Sequence, residues 1–436
     1  MNVRQHAYTL LTESERSDKY VSIALDAFIS SHALSSEDRA LLCALVYGVT
    51  ERRITLDHFI SVFSGKRASA LDKEVLTLLR LGMYQILYLD KIPDSAAVNE
   101  TVKLASRYAS RSKNFVNALL RRLCRKKNDL PYPSDPIQRL SIEHSVPTEL
   151  CRHFIRDYPE DYTDIIRLAN SRPRLTLTVN TLKTTRGAIA SELGEGYELC
   201  ESSERGLRLT LGTSVSEFAP LLDGRSFVQD EASQIAVSAL GARAGDTVID
   251  VCSCPGGKAF LAAISMENSG KIYCFDLHRS KLSLIENQAK KLGIDILEIA
   301  QHDSREPVKE LIGKADRVIC DLPCSGLGVI AKKPEIRHKS FSDLSELDGI
   351  QREILEASAK YTRPGGVLLY STCTLRKAEN EERVLAFLKD HPEFSLSPFE
   401  VGDISAEDGY ITLLPNEKGR DGFFIAKLTK TSDEQP

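Results

Sequence analysis

The strongest constraint on the fold is a regular alternation of strands and helices that begins near residue 219. Apolar segments with the length and composition of buried strands recur at 247–251, 272–276, 296–300, 317–321, 367–371 and 423–428. Helical patterns such as 278–292 and 349–361 lie between them. This alternation predicts a mostly parallel, doubly wound α/β sheet. Ligands of such sheets bind beyond the carboxyl ends of the strands, where the strand order reverses.

The residues before 219 follow different patterns. In residues 1–128 apolar side chains recur three and four positions apart, which predicts an all-α helical bundle. Residues 129–140 carry three prolines and predict a linker, and the alternating segment 174–180 predicts a strand. The sequence therefore predicts a multidomain protein, with a helical domain at 1–128, a linker and small α+β middle subdomain at 129–218, an α/β Rossmann-like domain at 219–430 and a tail at 431–436.

Composition favours an intracellular globular protein. Of the 436 residues, 42% are hydrophobic and 27% are charged, which allows sizeable cores and argues against disorder. Apolar runs such as 41–49 fall far short of the roughly 20 residues of a membrane helix, and the N-terminal sequence has no apolar leader core. We therefore expect a cytoplasmic protein without a membrane segment, and a monomer.

The net charge of −4 hides an asymmetry. Residues 1–128 hold 20 Lys and Arg against 13 Asp and Glu, and five of these cations fall within 121–127. Such a cluster can bind a phosphate backbone by releasing counterions. It can equally be a solvated helix end whose cations complement the helix dipole, and charge alone favours this second interpretation.

The ten cysteines are scattered, and none pairs at the C-x-x-C spacing of zinc or thioredoxin-like sites. We expect free thiols in a reducing compartment and no metal site. Cys324 and Cys373 directly follow two strands of the predicted sheet. A thiolate at this edge would be an effective nucleophile, whereas two arbitrary cysteines would be packing residues. Their shared position beside a ligand loop favours a catalytic role.

The first strand of the sheet runs into a loop with two glycines. Its candidate cofactor-binding residues are Cys252, Ser253, Cys254, Pro255, Gly256, Gly257 and Lys258. Glycine permits close approach of a ligand and the next helix offers its N-terminus, but the loop is not the G-x-G-x-x-G of nicotinamide enzymes. Asp276 ends the second strand, where it suits the ribose hydroxyls of an adenosine-containing cofactor. Asp303, after the third strand, could accept from an adenine amino group, although its position alone fits a capping aspartate better.

Three short motifs in this part of the chain resemble those of the S-adenosylmethionine-dependent RNA (cytosine-5)-methyltransferases. They are PGGK at 255–258, DLPCSG at 321–326 and STC at 371–373. Residues 1–128 resemble the RNA-binding fold of the NusB antitermination factor, notably at 79–102 and 115–122. The combination is similar to the RsmB-type 16S rRNA (cytosine-5)-methyltransferases. It implies S-adenosylmethionine as the cofactor and 16S rRNA as the partner.

The resemblance also implies roles for individual residues. Cys373 is implied to be the nucleophile that adds to carbon 6 of cytosine, and Cys324 to assist breakdown of the adduct. Asp321 is implied to lie between cofactor and base and to contact one of them, while Lys258 orients the site or the cofactor. Two alternatives are a tRNA methyltransferase with the same catalytic domain and a non-catalytic NusB-like RNA-binding or assembly factor. The helical N-terminal part argues against the first, and the intact motifs argue against the second.

Overall fold

The structure of the protein is a computed structural model. It describes residues 2–17, 21–210, 218–339 and 344–432. The end of the predicted tail, 433–436, lies outside the described residues. Within the described ranges no helix is long and apolar enough to cross a membrane, and no group of three or more His, Cys, Asp or Glu side chains is placed to hold a metal ion.

The chain divides into two compact units. The first comprises Met1–Asn170 with Ile330–Lys339, and the second comprises Ser171–Val329 with Ser340–Pro436. The predicted domain limits at residues 128 and 218 stay predictions.

The first unit is helical. Its α-helices, in the part of the chain that the structure describes, are α1 Val3–Ser17, α2 Val21–Ser31, α3 Ser36–Glu51, α4 Arg53–Ser64, α5 Lys73–Tyr88, α6 Asp94–Tyr108, α7 Lys113–Lys126, α8 Pro136–His144, α9 Thr148–Asp157 and α10 Tyr162–Leu168. Helices α1 to α7 share one apolar core. Helix α5 runs through this core, and its Leu78, Leu79, Leu81 and Met83 are excluded from solvent. The predicted all-α bundle is confirmed.

One part of the predicted linker is helical. Helix α8 begins at Pro136, so the prediction of an irregular linker over 129–140 was wrong from that residue onwards. The reason is local. Asp135 caps the helix by accepting a hydrogen bond from the Gln138 backbone N–H at 2.7 Å. Proline is well tolerated in a first helical turn, because its missing N–H would have no intrahelical partner there.

A small antiparallel sheet begins the second unit. Its elements are β1 Thr176–Val179, α11 Arg186–Leu193, β2 Tyr197–Leu199, β3 Gly206–Leu209, α12 Ala219–Leu222 and β4 Ser226–Val228. The strands lie in the order β2–β3–β1–β4. Leu177, Ile189 and Leu207 are fully buried in its core. The predicted α+β middle part and the strand predicted near 174–180 are confirmed.

The remaining elements of the second unit build a larger sheet. They are α13 Glu231–Leu240, β5 Thr247–Asp250, α14 Gly257–Ser265, β6 Lys271–Asp276, α15 Arg279–Leu292, β7 Leu297–Gln301, β8 Ala315–Asp321, α16 Leu344–Tyr361, β9 Thr362–Thr372, α17 Glu381–Asp390, β10 Phe394–Leu396, β11 Phe399–Val401, β12 Ile404–Ala406, β13 Tyr410–Leu413 and β14 Phe423–Lys430. The strand order is β10–β14–β9–β8–β5–β6–β7, with β13 paired to β14 and a separate β11–β12 hairpin.

The larger sheet is parallel from β9 to β7, whereas β14 runs antiparallel to β9. The chain passes from β5 through β6 to β7 and returns to β8 on the other side of β5. The strand order therefore reverses between β5 and β8, which is where a sheet of this kind binds its ligand. The predicted Rossmann-like α/β domain is confirmed.

Candidate active site

The loop after β5 begins at a buried carboxylate. Asp250, the last residue of β5, is 1% exposed, and neither of its carboxylate oxygens has a hydrogen-bond donor among the described residues. Burial, together with the negative charge of Asp321 on the neighbouring strand, raises the pKa of Asp250 to about 7. Buried polar groups in folded proteins are generally hydrogen-bonded. A ligand with N–H or O–H groups therefore fits this position.

The glycine pair turns this loop into helix α14. The preceding peptide bond, Cys254–Pro255, is cis. Gly256 has a φ of +105°, and an added Cβ would lie 2.3 Å from the Phe260 ring. Only glycine fits here without a shift of its surroundings. Helix α14 begins directly afterwards at Gly257, and the first N–H groups of a helix, which have no intrahelical partner, suit a polar or anionic ligand group.

Cys252 and Cys254 of this loop are protonated thiols, which are poor nucleophiles. Ser253 between them is buried, and its backbone N–H donates to the Phe275 carbonyl at 2.8 Å. Burial raises the pKa of Cys252 well above its usual value. The Cys254 thiol donates to the Lys281 carbonyl at 3.3 Å, and burial raises its pKa to about 12. These residues therefore shape the loop and stay protonated.

The two predicted ribose and adenine carboxylates have different surroundings. Asp276 is half-buried at the end of β6, and its Oδ1 accepts from the His278 backbone N–H at 2.9 Å. Asp303 lies on a loop after β7, where the Arg305 guanidinium contacts both carboxylate oxygens and lowers the pKa of Asp303. The structure thus brings Asp276 to the carboxyl edge of the sheet, whereas Asp303 is engaged in a surface ion pair.

Lys258 and Asp321 form an ion pair at the point where the strand order reverses. Lys258 Nζ lies 2.6 Å from Asp321 Oδ2, and the two side chains are 12% and 28% exposed. Ser371 Oγ donates to the other oxygen, Oδ1, at 2.8 Å. Burial opposes the ammonium form of Lys258, but the Asp321 carboxylate outweighs it and the pKa of Lys258 is raised. Lys258 Nζ also lies 5.2 Å from the centre of the Phe423 ring.

The two predicted catalytic cysteines meet beside this ion pair. Cys324 Sγ and Cys373 Sγ are 3.3 Å apart. The contact with Cys373, burial, and the negative charges of Glu379 and Asp321 raise the pKa of Cys324 well above its usual value. The negative charge of a Cys373 thiolate, in contrast, acts on Lys258 and raises its pKa. Two carboxylates thus act on Cys324, and the Lys258 ammonium acts on the neighbouring Cys373.

Several polar residues that hold this site were not predicted from the sequence. They are Ser325, Ser371, Thr374, Glu379 and Asn380. Ser325 Oγ and Thr374 Oγ1 are hydrogen-bonded at 2.6 Å, and the fully buried Glu379 and Asn380 bond to both cysteine-bearing loops. Ser325 and Ser371 lie inside the DLPCSG and STC motifs, but no role was inferred for them. The signal for Glu379 and Asn380 was a polar Glu-Asn pair shortly after the STC motif, which fits an ordinary helix start equally well.

Family models match successive parts of the chain. The NusB family matches residues 1–125. The ferredoxin-like domain of the RsmF/B-like methyltransferases matches residues 146–216. The 16S rRNA methyltransferase RsmB/F family matches residues 237–429, which include the ion pair and the two thiols described above.

Individual proteins are similar over larger parts of the chain. The probable ribosomal RNA small subunit methyltransferase B of Bacillus subtilis is 34% identical, over 98% of this chain and 99% of that protein. The crystal structure of PH0851 superposes with a TM-score of 0.82 at 28% identity and covers 98% of both chains. A methyltransferase homologue from Pyrococcus horikoshii superposes with a TM-score of 0.60 at 26% identity, over 68% of this chain and 100% of that one.

Proposed function

The chain belongs to the ribosomal RNA small subunit methyltransferase B family, and on this premise we propose that it methylates carbon 5 of one cytosine in 16S rRNA. Membership of this family supports S-adenosylmethionine-dependent methylation of small-subunit rRNA as the activity. One observation carries the finer assignment to carbon 5. Two thiols lie 3.3 Å apart beside the Lys258–Asp321 ion pair, at the carboxyl edge of the parallel strands.

Carbon 5 of cytosine needs covalent help to accept a methyl group. A thiolate that adds to carbon 6 forms a carbon–sulfur bond and moves an electron pair of the ring to carbon 5, which becomes nucleophilic. S-adenosylmethionine, when bound, supplies the electrophilic methyl group. Loss of the proton from carbon 5 to a base and departure of the thiolate from carbon 6 then restore the ring.

The proposed division of labour between the two thiols follows the motifs in which they lie. Cys373, the cysteine of the STC motif, is the proposed nucleophile on the resemblance of that motif, and a Cys373 thiolate would interact favourably with the Lys258 ammonium. Cys324 is disfavoured as a thiolate by its hydrogen bond with Cys373, its burial and its anionic neighbours, all of which raise its pKa, and is proposed to assist breakdown of the adduct. The Lys258 ammonium, held by Asp321, is proposed to stabilise the negative charge that develops on the ring during attack.

We propose that the loop after β5 and the carboxylates at the strand ends hold S-adenosylmethionine. The loop residues are Cys252, Ser253, Cys254, Pro255, Gly256, Gly257 and Lys258. The unpartnered oxygens of Asp250 suit hydrogen-bond donors of the cofactor, and Asp276 suits its ribose hydroxyls. Asp321 is proposed to lie between cofactor and base. Asp303 is proposed to accept from the adenine amino group, which requires its ion pair with Arg305 to open.

The substrate must present its base outside a helical stack. Addition to carbon 6 is blocked while the cytosine is stacked, and extrusion is least costly in loops and bulges. The cation cluster at 121–127 in the NusB-like part is proposed to anchor the rRNA through its phosphates. Arg121 and Arg125 of this cluster are exposed on α7, which supports such a contact.

Methyl transfer to defined RNA tests the proposed function. The purified protein is incubated with naked 16S rRNA and methyl-labelled S-adenosylmethionine, and the modified base is mapped by bisulfite sequencing. We expect label at carbon 5 of one cytosine, and none with the Cys373→Ala variant. Label on another atom, or on tRNA in preference to 16S rRNA, would overturn the assignment.

A further inference from the structure

Glu379 and Asn380 are consecutive polar residues that lie directly before helix α17. Both are fully buried. The cost of burying polar side chains is offset only where their hydrogen bonds are made. The hydrogen-bond partners of these two side chains therefore indicate their structural role.

The Glu379 side chain holds the chain around Cys324. Its Oε2 accepts from the Ser325 backbone N–H at 2.9 Å and from Gln351 Nε2 at 2.8 Å. Gln351 Nε2 also donates to the Pro323 carbonyl at 2.9 Å. The residues immediately before and after Cys324 are thus tied, one directly and one through Gln351, to a single buried carboxylate.

The Asn380 side chain does the same for Cys373. Its Oδ1 accepts from Thr372 Oγ1 at 2.6 Å, and its Nδ2 donates to the Thr374 carbonyl at 3.0 Å. The two loops are then joined to each other by the Ser325–Thr374 hydroxyl pair at 2.6 Å. Both neighbours of each cysteine are therefore held by two adjacent residues of the chain.

We propose that Glu379 and Asn380 form a clip that positions the Cys324 and Cys373 thiols in contact with each other. The catalytic consequence of the clip is that a base bonded to Cys373 stays within reach of Cys324. This consequence rests on the proposed function. Glu379 and Asn380 are positioning residues and act through the cysteines. Glu379 also places a negative charge beside Cys324, and Arg376 Nη1, 3.7 Å from its Oε1, offsets the burial of that charge.

The geometry of the clip can be tested without RNA. Phenylarsine oxide bridges two neighbouring thiols by forming two arsenic–sulfur bonds with loss of one water, and peptide mass spectrometry identifies the bridged pair. We expect bridging of Cys324 to Cys373 to be about tenfold slower in Glu379→Ala and Asn380→Ala, since each loses hydrogen bonds that fix one loop. The Glu379→Gln variant, which keeps an acceptor oxygen for Ser325, should stay near the wild-type rate, as should the exposed matched control Glu382→Gln.

Wild-type bridging rates in Glu379→Ala and Asn380→Ala would overturn the clip. Because alanine could unfold the local structure, Asn380→Asp provides a milder variant that keeps the acceptor for Thr372 and loses the donor to Thr374. Its melting temperature should fall, because a second carboxylate is buried beside Glu379, and where circular dichroism shows that it is folded it should bridge the thiols at an intermediate rate. A rate equal to that of the wild type in this folded variant would also count against the clip.

Methyl transfer provides the second readout. Asn380→Asp should lower kcat with KM for S-adenosylmethionine unchanged, because it loosens the loop of the proposed nucleophile Cys373 and leaves the proposed cofactor loop untouched. An unchanged kcat in an otherwise active enzyme would overturn the catalytic consequence of the clip. If the wild type methylates no cytosine at carbon 5, the proposed function fails, while the arsenical experiment still decides the thiol geometry.

Discussion

The thiols of Cys324 and Cys373 are in contact although 49 positions separate them in the chain. Strands β8 and β9 are parallel neighbours, with Asp321 opposite Ser371 at their carboxyl ends. The loops that leave these strands therefore start side by side. Parallel pairing thus brings the two cysteine-bearing loops within reach of each other, and the same pairing brings Ser371 Oγ to the Asp321 carboxylate.

Substitution of each cysteine should have a different effect. Cys373→Ala removes the proposed nucleophile and should abolish both methylation and adduct formation. Cys324→Ala keeps the nucleophile but impairs release, so a covalent protein–RNA species should accumulate. Denaturing gels of each variant incubated with 16S rRNA and S-adenosylmethionine distinguish these outcomes. Normal turnover by the Cys373 variant would contradict the assignment.

Ser371→Ala should weaken catalysis through Asp321. Ser371 is fully buried and donates to Asp321 at 2.8 Å, and a hydrogen bond to a charged group is worth roughly 1.5–3 kcal/mol. We expect kcat to fall by about tenfold or more if this bond orients the carboxylate in the transition state. Steady-state methylation kinetics provide the measurement, with the exposed Ser395→Ala as control. Equal kcat values for the two variants would show that Asp321 needs no support from Ser371.

Gly256→Ala should impair cofactor binding. The residue requires a φ of +105°, and its added Cβ would collide with the Phe260 ring, at a cost of about 1–3 kcal/mol for the backbone conformation alone. We expect S-adenosylmethionine to bind about tenfold or more weakly by isothermal titration calorimetry. The control is Gly187→Ala in α11, where a Cβ meets nothing within 4 Å. Unchanged affinity in Gly256→Ala would exclude this loop from the cofactor site.

The parts of the site that are local in sequence could be predicted from it, and the parts that depend on strand pairing could not. Lys258, Asp321, Cys324 and Cys373 lie in short motifs directly after strands, so alternation alone places them at one edge. The bonds of Glu379 cross from one loop to another and depend on which strands pair. The helical start at 136–140 was missed because proline clusters are typical of linkers, although Asp135 followed by Pro136 is itself a local signal of a helix start.

Arg337→Met should destabilise the first unit. Arg337 is 1% exposed, and its guanidinium donates to the carbonyls of Glu51, Ser145 and Ala169 and to the Asn170 side chain. Burial lowers the pKa of Arg337 to about 10, so the group stays charged at neutral pH. Methionine would leave several buried acceptors without donors, each at a cost of about 1–3 kcal/mol.

The free energy of unfolding from urea titrations, followed by circular dichroism, measures this loss. Lys333→Met is the matched control, because Lys333 is an exposed cation in the same segment, Ile330–Lys339. Arg337→Lys should recover only part of the stability, since one ammonium cannot reproduce the guanidinium geometry. Equal unfolding curves for Arg337→Met and the wild type would contradict the prediction.

Asp250→Asn should change how stability depends on pH. The Asp250 carboxyl ionises near its ordinary pKa of 3.8 in the unfolded chain but at about 7 in the folded one, where burial is the main cause. Between these values the folded state binds more protons than the unfolded state, so the free energy of unfolding falls as pH rises. The asparagine variant lacks this penalty and should gain stability relative to the wild type between about pH 5 and about pH 8, by at most roughly 1.4 kcal/mol per pKa unit. Urea unfolding of both proteins across this pH range measures the effect, with the exposed Asp408→Asn as control. If the free energies of unfolding of Asp250→Asn and the wild type differed by the same amount at every pH, Asp250 would already be ionised in the folded protein.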